Sequence, residues 1–181
     1  MAVGCYPGSF NPPTIAHLAV ADAARRHAGL DRVDLVLSRE ALGKPVAGTP
    51  PVEDRRAVLE AVAASRPWLG VVVTGARLIA DIAAGYDAVV LGADKWAQVL
   101  DPAWYAGSTA ARDAAVAALP RVLVAPRHGD RPEGVELLDV ADHLGSVSAT
   151  AVRTGAPDAA AWILPEAVAS GVWAVRRAER S

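Results

Sequence analysis

The order of hydrophobic and polar positions changes period repeatedly along this chain. Short β-favouring runs, most of them rich in valine, stand at Val3–Tyr6, Val33–Leu37, Gly70–Thr74, Ala88–Gly92 and Val122–Ala125, with a weaker one at Val135–Asp139. Helical stretches fall between and after them, at Ile15–His27, Val52–Ser65, Ile79–Ala84, Trp104–Leu119, Ala151–Thr154 and Glu166–Trp173. Such alternation with short connections predicts an α/β fold: a doubly wound sheet of about five or six mostly parallel strands with helices on both faces. In sheets of this kind ligands bind beyond the carboxyl ends of the strands, where strand order reverses. The turn after Tyr6 lies at one such end, and Gly92-Ala93-Asp94 at another. The Pro/Gly-rich stretch Gly43–Val52 reads as a mobile loop rather than a boundary. With no repeat and no linker, residues 1–181 are expected to form one domain, 175–181 being a fraying polar tail.

Composition narrows the picture. The chain is 52% hydrophobic and 21% charged with a mean hydropathy of +0.24, so it is globular and large enough for a core of its own. A net charge of −2 argues against a nucleic-acid or membrane surface, and any anion site must be built locally. Cys5 is the single cysteine, which excludes a disulfide within the chain, and its place in the first strand suggests a buried thiol. The four histidines (17, 27, 128 and 143) show no ligand spacing, so no protein metal site is expected. With no signal peptide and no apolar run near the ~20 residues that span a bilayer, the expected location is cytoplasmic.

Two stretches carry candidate chemistry. Gly8-Ser9-Phe10-Asn11-Pro12-Pro13-Thr14-Ile15-Ala16-His17 joins a strand to a helix through a Gly/Pro turn. The first N–H groups of a helix lack intrahelical partners and the helix dipole adds positive charge there, which suits a phosphate. Thr14 is placed to cap, and His17 can aim a ring nitrogen at the same anion. Thr14 and His17 alone would favour a capped helix with a surface histidine; the preceding turn tips the balance. Val147-Ser148-Ala149-Thr150-Ala151-Val152-Arg153 repeats the logic: Ser148 or Thr150 caps, and Arg153 adds a permanent charge. Two anion sites on one chain suit a triphosphate better than a lone phosphate.

These motifs, in this order, resemble the nucleotidyltransferase superfamily with the (H/T)-x-G-H motif, in its adenylyltransferase branch. Gly8 to Pro12 looks like the family's G-x-F-x-P turn, Thr14 to His17 its (H/T)-x-G-H, and Val147 to Arg153 its I-S-S-T-x-I-R motif. Gly92-Ala93-Asp94 is similar to its G-x-D, and Arg127-His128-Gly129 to its R-x-G loop. Ala16 and Ala149 depart from the family's glycine and second serine, which implies slower catalysis or a shifted substrate. The resemblance implies a Rossmann-like form of the sheet above.

It also implies the reaction: a phosphate monoester attacks the α-phosphorus of ATP, and pyrophosphate leaves. The nucleophile is already anionic, so catalysis reduces to alignment and charge neutralisation. His17 is assigned to the α/β-phosphate region, with Thr14 beside it and Gly8, Ser9 and Phe10 as a backbone cradle. Ser148, Thr150 and Arg153 take the β/γ end, Asp94 and Gly92 the adenosine side, and Arg127 is a weaker candidate there. Mg2+ is expected to bridge the phosphates. For the acceptor, Trp104 or Trp96 stacks on a pyridine ring, as in nicotinate or nicotinamide mononucleotide adenylyltransferases, or Trp104 simply opens its helix in the core. Lys44 either meets the substrate phosphate or is a solvated loop lysine, and Arg55 and Arg56 open a helix with at least one on its solvated face. Thr14 and the segment 73–81 lend some likeness to the phosphopantetheine branch. A silent nucleotide-binding module is the non-enzymatic alternative, and a homo-oligomer is expected from the resemblance.

Overall fold

The computed structural model describes residues 1–39, 48–127 and 129–173. Six strands, β1 (Val3–Pro7), β2 (Arg32–Ser38), β3 (Leu69–Thr74), β4 (Ala88–Gly92), β5 (Arg121–Ala125) and β6 (Glu136–Leu137), form one sheet in the order β3-β2-β1-β4-β5-β6. Every pairing is parallel; Cys5 lies opposite Asp34 on one side and Val89 on the other. The chain builds outward from β1 to β3, then returns to place β4 on the other side of β1. The crevice above the β1–β4 boundary is therefore where strand order reverses.

Among the described residues there are seven α-helices: α1 (Ile15–Ala28), α2 (Val52–Ala64), α3 (Ile79–Ala83), α4 (Ala93–Leu100), α5 (Thr109–Ala117), α6 (Ala149–Thr154) and α7 (Pro165–Ser170). Side chains alternate between two cores, as a two-sided strand requires. From β2 and β4, Leu35, Leu37 and Val90 join Val20 and Ala24 of α1 and Leu59 and Val62 of α2. Their neighbours Val36, Val89 and Leu91 join Cys5, Ile82 of α3, and Trp96 and Val99 of α4. Cys5 is a fully buried free thiol, as its position predicts.

The departures from expectation have local causes. The predicted helix Trp104–Leu119 is two elements, a 3-10 turn at Pro102–Tyr105 and then α5. Ala106 and Gly107 have φ values of 54° and 80°, and Ser108 starts a new helix by accepting from the Ala111 N–H at 3.1 Å. The segment after Gly92 is not a loop but helix α4, whose buried face is the stripe Ala93, Trp96, Val99. The weak run at Val135–Asp139 pairs only at Glu136–Leu137, and α7 stops at Gly171, at φ 69°, short of Trp173. Half of the Gly43–Val52 loop, residues 43–47 with Lys44 among them, and the 175–181 tail lie outside the described residues. No helix among the described residues is long and apolar enough to cross a membrane.

Candidate active site

Above the switch point lies a cavity of 1280 Å³. Its walls include Gly8, Ser9, Thr14 and His17 from the first motif and Ser148, Thr150 and Arg153 from the last. The two helix openings thus face one cavity. Arg39, Arg55, Arg77, Lys95, Arg127, Arg131 and Arg153 line it against two carboxylates, Asp94 and Asp142. A chain with net charge −2 has gathered its cations here, the local anion site that the overall charge demands.

The first turn is held from below. Phe10 has a φ of 43° and folds its buried ring back under Gly8, where a Cβ would sit 2.9 Å from the ring. Glycine is therefore required at position 8. Phe10 packs edge-on against both Tyr6 and His17, its centroid 5.1 Å from that of His17, and the Tyr6 and His17 rings are tilted to each other. Phe10 thus acts as a support, its ring away from the ligand. The Gly8 N–H is not a phosphate donor, because it donates to the Val36 carbonyl at 3.1 Å. Ser9 and Phe10 remain as candidate backbone donors of that cradle.

Thr14 is the N-cap residue of α1, and its N–H donates to His17 Nδ1 at 3.0 Å, with Thr14 Oγ1 2.9 Å from the same nitrogen. An N–H cannot accept, so Nδ1 carries no proton and the neutral ring bears its hydrogen on Nε2. Burial, with a further push from the Arg127 guanidinium, lowers the His17 pKa to about 4. His17 is thus a neutral donor at physiological pH, with its tautomer fixed by the cap.

Arg153 closes the site from the far end of the chain. It donates to the Asn11 carbonyl and, at 3.1 Å, to Thr150 Oγ1. Ser148, not Thr150, caps α6, accepting from the Thr150 and Ala151 N–H groups at 3.2 and 3.3 Å. Asn11, 2% exposed, is a junction: its Nδ2 donates to Thr49 Oγ1 at 3.0 Å, and its Oδ1 accepts from Trp173 Nε1 at 2.8 Å. Leu164 N–H adds a bond to the Pro13 carbonyl. Neither Asn11 nor Trp173 stands out in the sequence, since partners so distant leave no local pattern.

Arg55 is the other site residue not foreseen. It is 9% exposed and reaches from α2 to the Pro50 carbonyl (3.1 Å) and the Ser9 carbonyl (2.7 Å). Its spacing to Val58, Leu59 and Val62 puts it on the buried stripe of α2, a signal available in the sequence. Arg56 is on the solvated face, paired with Glu60.

Gly92 and Asp94 line the opposite wall, and Arg127 lies 3.7 Å from Asp94 across the rim. Arg127 and Asp130 exchange backbone bonds around a tight turn. Trp104 lines the cavity, half-buried; Trp96 does not. As part of the apolar stripe of α4, Trp96 is directed into the core and is no stacking residue. Ala16 and Ala149 both line the cavity.

Known proteins resemble this chain in part of its sequence and in its fold. Over 67 residues the chain is 39% identical to proteins named probable nicotinate-nucleotide adenylyltransferase from Trichlorobacter lovleyi and Salinibacter ruber. Those matches cover 37% of this chain and only 32% and 34% of the relatives. Among solved structures, the Plasmodium falciparum nicotinic acid mononucleotide adenylyltransferase complexed with NaAD superposes with a TM-score of 0.68 at 14% identity, covering 94% of each chain. The same enzyme complexed with APC gives 0.66 at 13% identity, again over 94% of each chain. These likenesses establish the Rossmann-like fold. The cytidylyltransferase-like family matches residues 5–155, from within β1 to the glycine that ends α6, and the chain belongs to that family.

Proposed function

We propose that the protein is an adenylyltransferase that moves AMP from ATP to the phosphate of nicotinate mononucleotide and releases pyrophosphate, a step of NAD biosynthesis. The observation that carries this reading is the convergence of His17 and Arg153, from opposite ends of the chain, on one cation-lined cavity. The relatives' names and the half-buried Trp104 in the cavity wall support a pyridine acceptor.

The acceptor phosphate attacks the α-phosphorus in line, and the bond to the leaving pyrophosphate breaks. His17 Nε2–H donates to the α/β-phosphate region as charge builds there, and being neutral it does so without surrendering its proton. Arg153 and the cap of α6 hold the β/γ end, and Asp94 faces the adenosine. Arg55 and Arg153 each bind a carbonyl of the first turn, which fixes the turn against the recoil of a polyanion. No group of three or more His, Cys, Asp or Glu comes together among the described residues. Magnesium would enter with ATP as part of the substrate and would neutralise charge on its phosphates. We place the enzyme in the cytoplasm and, from the resemblance, expect a homo-oligomer.

Pyrophosphate release tests the reading with Mg-ATP and nicotinate mononucleotide, nicotinamide mononucleotide or phosphopantetheine in turn, with CTP as donor control. Release with a pyridine mononucleotide and ATP is the expected result. Release with phosphopantetheine alone would reassign the acceptor, and ATP binding without any release would make the protein a silent nucleotide-binding module.

A further inference from the structure

The acceptor end of the cavity has a polar edge that the reading above leaves unused. Lys95 and Gln98 both line the cavity, and the Lys95 ammonium donates to Gln98 Oε1 at 2.7 Å. Among the described residues this is the one hydrogen bond the Lys95 side chain makes. It lies on the cavity side of α4, while Trp96 and Val99 hold the helix to the core. The bond to Gln98, three residues on, turns Lys95 towards the C-terminal end of α4. There the 3-10 turn begins, and Tyr105 donates to the Val99 carbonyl at 3.0 Å. Trp104 and Tyr105 line the same cavity as the Lys95–Gln98 pair, with Leu78, Ile79 and Ile82 among its apolar lining.

The pair has a fixed polarity. An ammonium has no lone pair, so the atom of Gln98 that meets it must be the oxygen. The Gln98 amide is thereby locked with its NH2 outward. The edge presented to a ligand is then composed of donors only, the remaining N–H bonds of Lys95 and those of Gln98 Nε2. A flat ring on Trp104 whose substituent is a carboxylate satisfies both donors. A carboxamide in the same place satisfies one and turns its own NH2 against the other, leaving a half-buried donor unpaired.

We propose that Lys95 and Gln98 form a specificity dyad that selects an acceptor bearing a carboxylate on its aromatic ring, nicotinate mononucleotide over nicotinamide mononucleotide. The inference rests on the pyridine acceptor of the previous section. Lys95 is the charge that favours the carboxylate, and its second role is to hold Gln98 in the one orientation that penalises the amide.

Pyrophosphate release from Mg-ATP with each mononucleotide tests this in the wild type, Lys95→Met and Gln98→Glu. The wild type favours nicotinate mononucleotide by ~10-fold or more in kcat/KM, the scale of one mispaired buried polar group. Lys95→Met frees Gln98 to rotate, and the ratio falls towards unity, through a raised KM for nicotinate mononucleotide. Gln98→Glu replaces the outward NH2 by an acceptor, so the ratio falls below one. Melting temperature and ATP affinity of each variant confirm that the site is intact. Unchanged ratios in both folded variants would overturn the dyad while leaving the pyridine reading in place. A wild type that turns over neither mononucleotide would overturn both, and this failure is distinguished by appearing before any substitution is made.

Discussion

The two ends of the cavity are built in opposite ways. The end we propose for the phosphates is assembled from distant pieces: Ser9 to His17, Arg55, Ser148 to Arg153 and Trp173, tied by bonds to backbone carbonyls and to Asn11. The acceptor wall is largely one local run, Gly92 to Tyr105, with Leu78 to Ile82 also lining the cavity. Long-range ties suit a site whose task is alignment, because a small displacement there costs rate steeply. A local wall can change its side chains without disturbing that alignment, so the choice of acceptor is separable from the chemistry.

Substitutions at the two ends should therefore differ in kind. The largest effect belongs to His17→Ala: kcat falls by about two orders of magnitude or more, with the KM for ATP changed much less. Steady-state kinetics decide it, and equal losses in both would make His17 a binding group only. Next comes Arg55→Met, which strands two carbonyls and should destabilise the fold by about 2–3 kcal/mol in urea unfolding, lowering activity through the turn. At the acceptor wall, Trp104→Ala should raise the acceptor KM by roughly 10-fold and leave the KM for ATP and the melting temperature nearly unchanged. If Trp104→Ala instead lowers stability as much as Arg55→Met, the wall is structural and the contrast fails.

The smallest effects concern protonation and crowding. Because His17 is held near pKa 4 against an ordinary 6.5, the folded protein binds a proton there less readily than the unfolded chain. Its contribution to stability is complete above pH 6.5 and is lost as pH falls towards 4. His17→Gln should accordingly lose less melting temperature than wild type across that window, and identical slopes would show the ring to be solvated. Ala16→Gly relieves whatever crowding the methyl imposes on the phosphates. We expect a modest rise in turnover, and no rise would show the departure to be neutral.

The same contrast explains what could be read in advance. Sheet, helices and both phosphate motifs follow local periodicity or short spacing, and Gly8 to His17 and Ser148 to Arg153 are contiguous patterns. Helix α4 was equally local but hidden, because Gly92-Ala93-Asp94 reads as a ligand motif at a strand end and two tryptophans compete for one role. The stripe Ala93, Trp96, Val99 resolves that competition in favour of Trp104. Arg55 was legible by its place on the α2 stripe, whereas charge alone suggests solvent. The Asn11 junction was not legible at all, since a polar residue's distant partners impose no periodicity.

That junction has a consequence for how the protein comes into being. Asn11 is gripped by groups 38, 142 and 162 positions away along the chain. Contacts so remote require large loops to close, and their entropic cost is met only after nearer pairings exist. The turn around Asn11 is therefore expected to reach its final shape late, once Arg153 and Trp173 have docked on it. Nascent or clipped chains with a sound sheet would lack the competent turn, and catalytic power would arrive with the last docking event, not in proportion to the structure already formed.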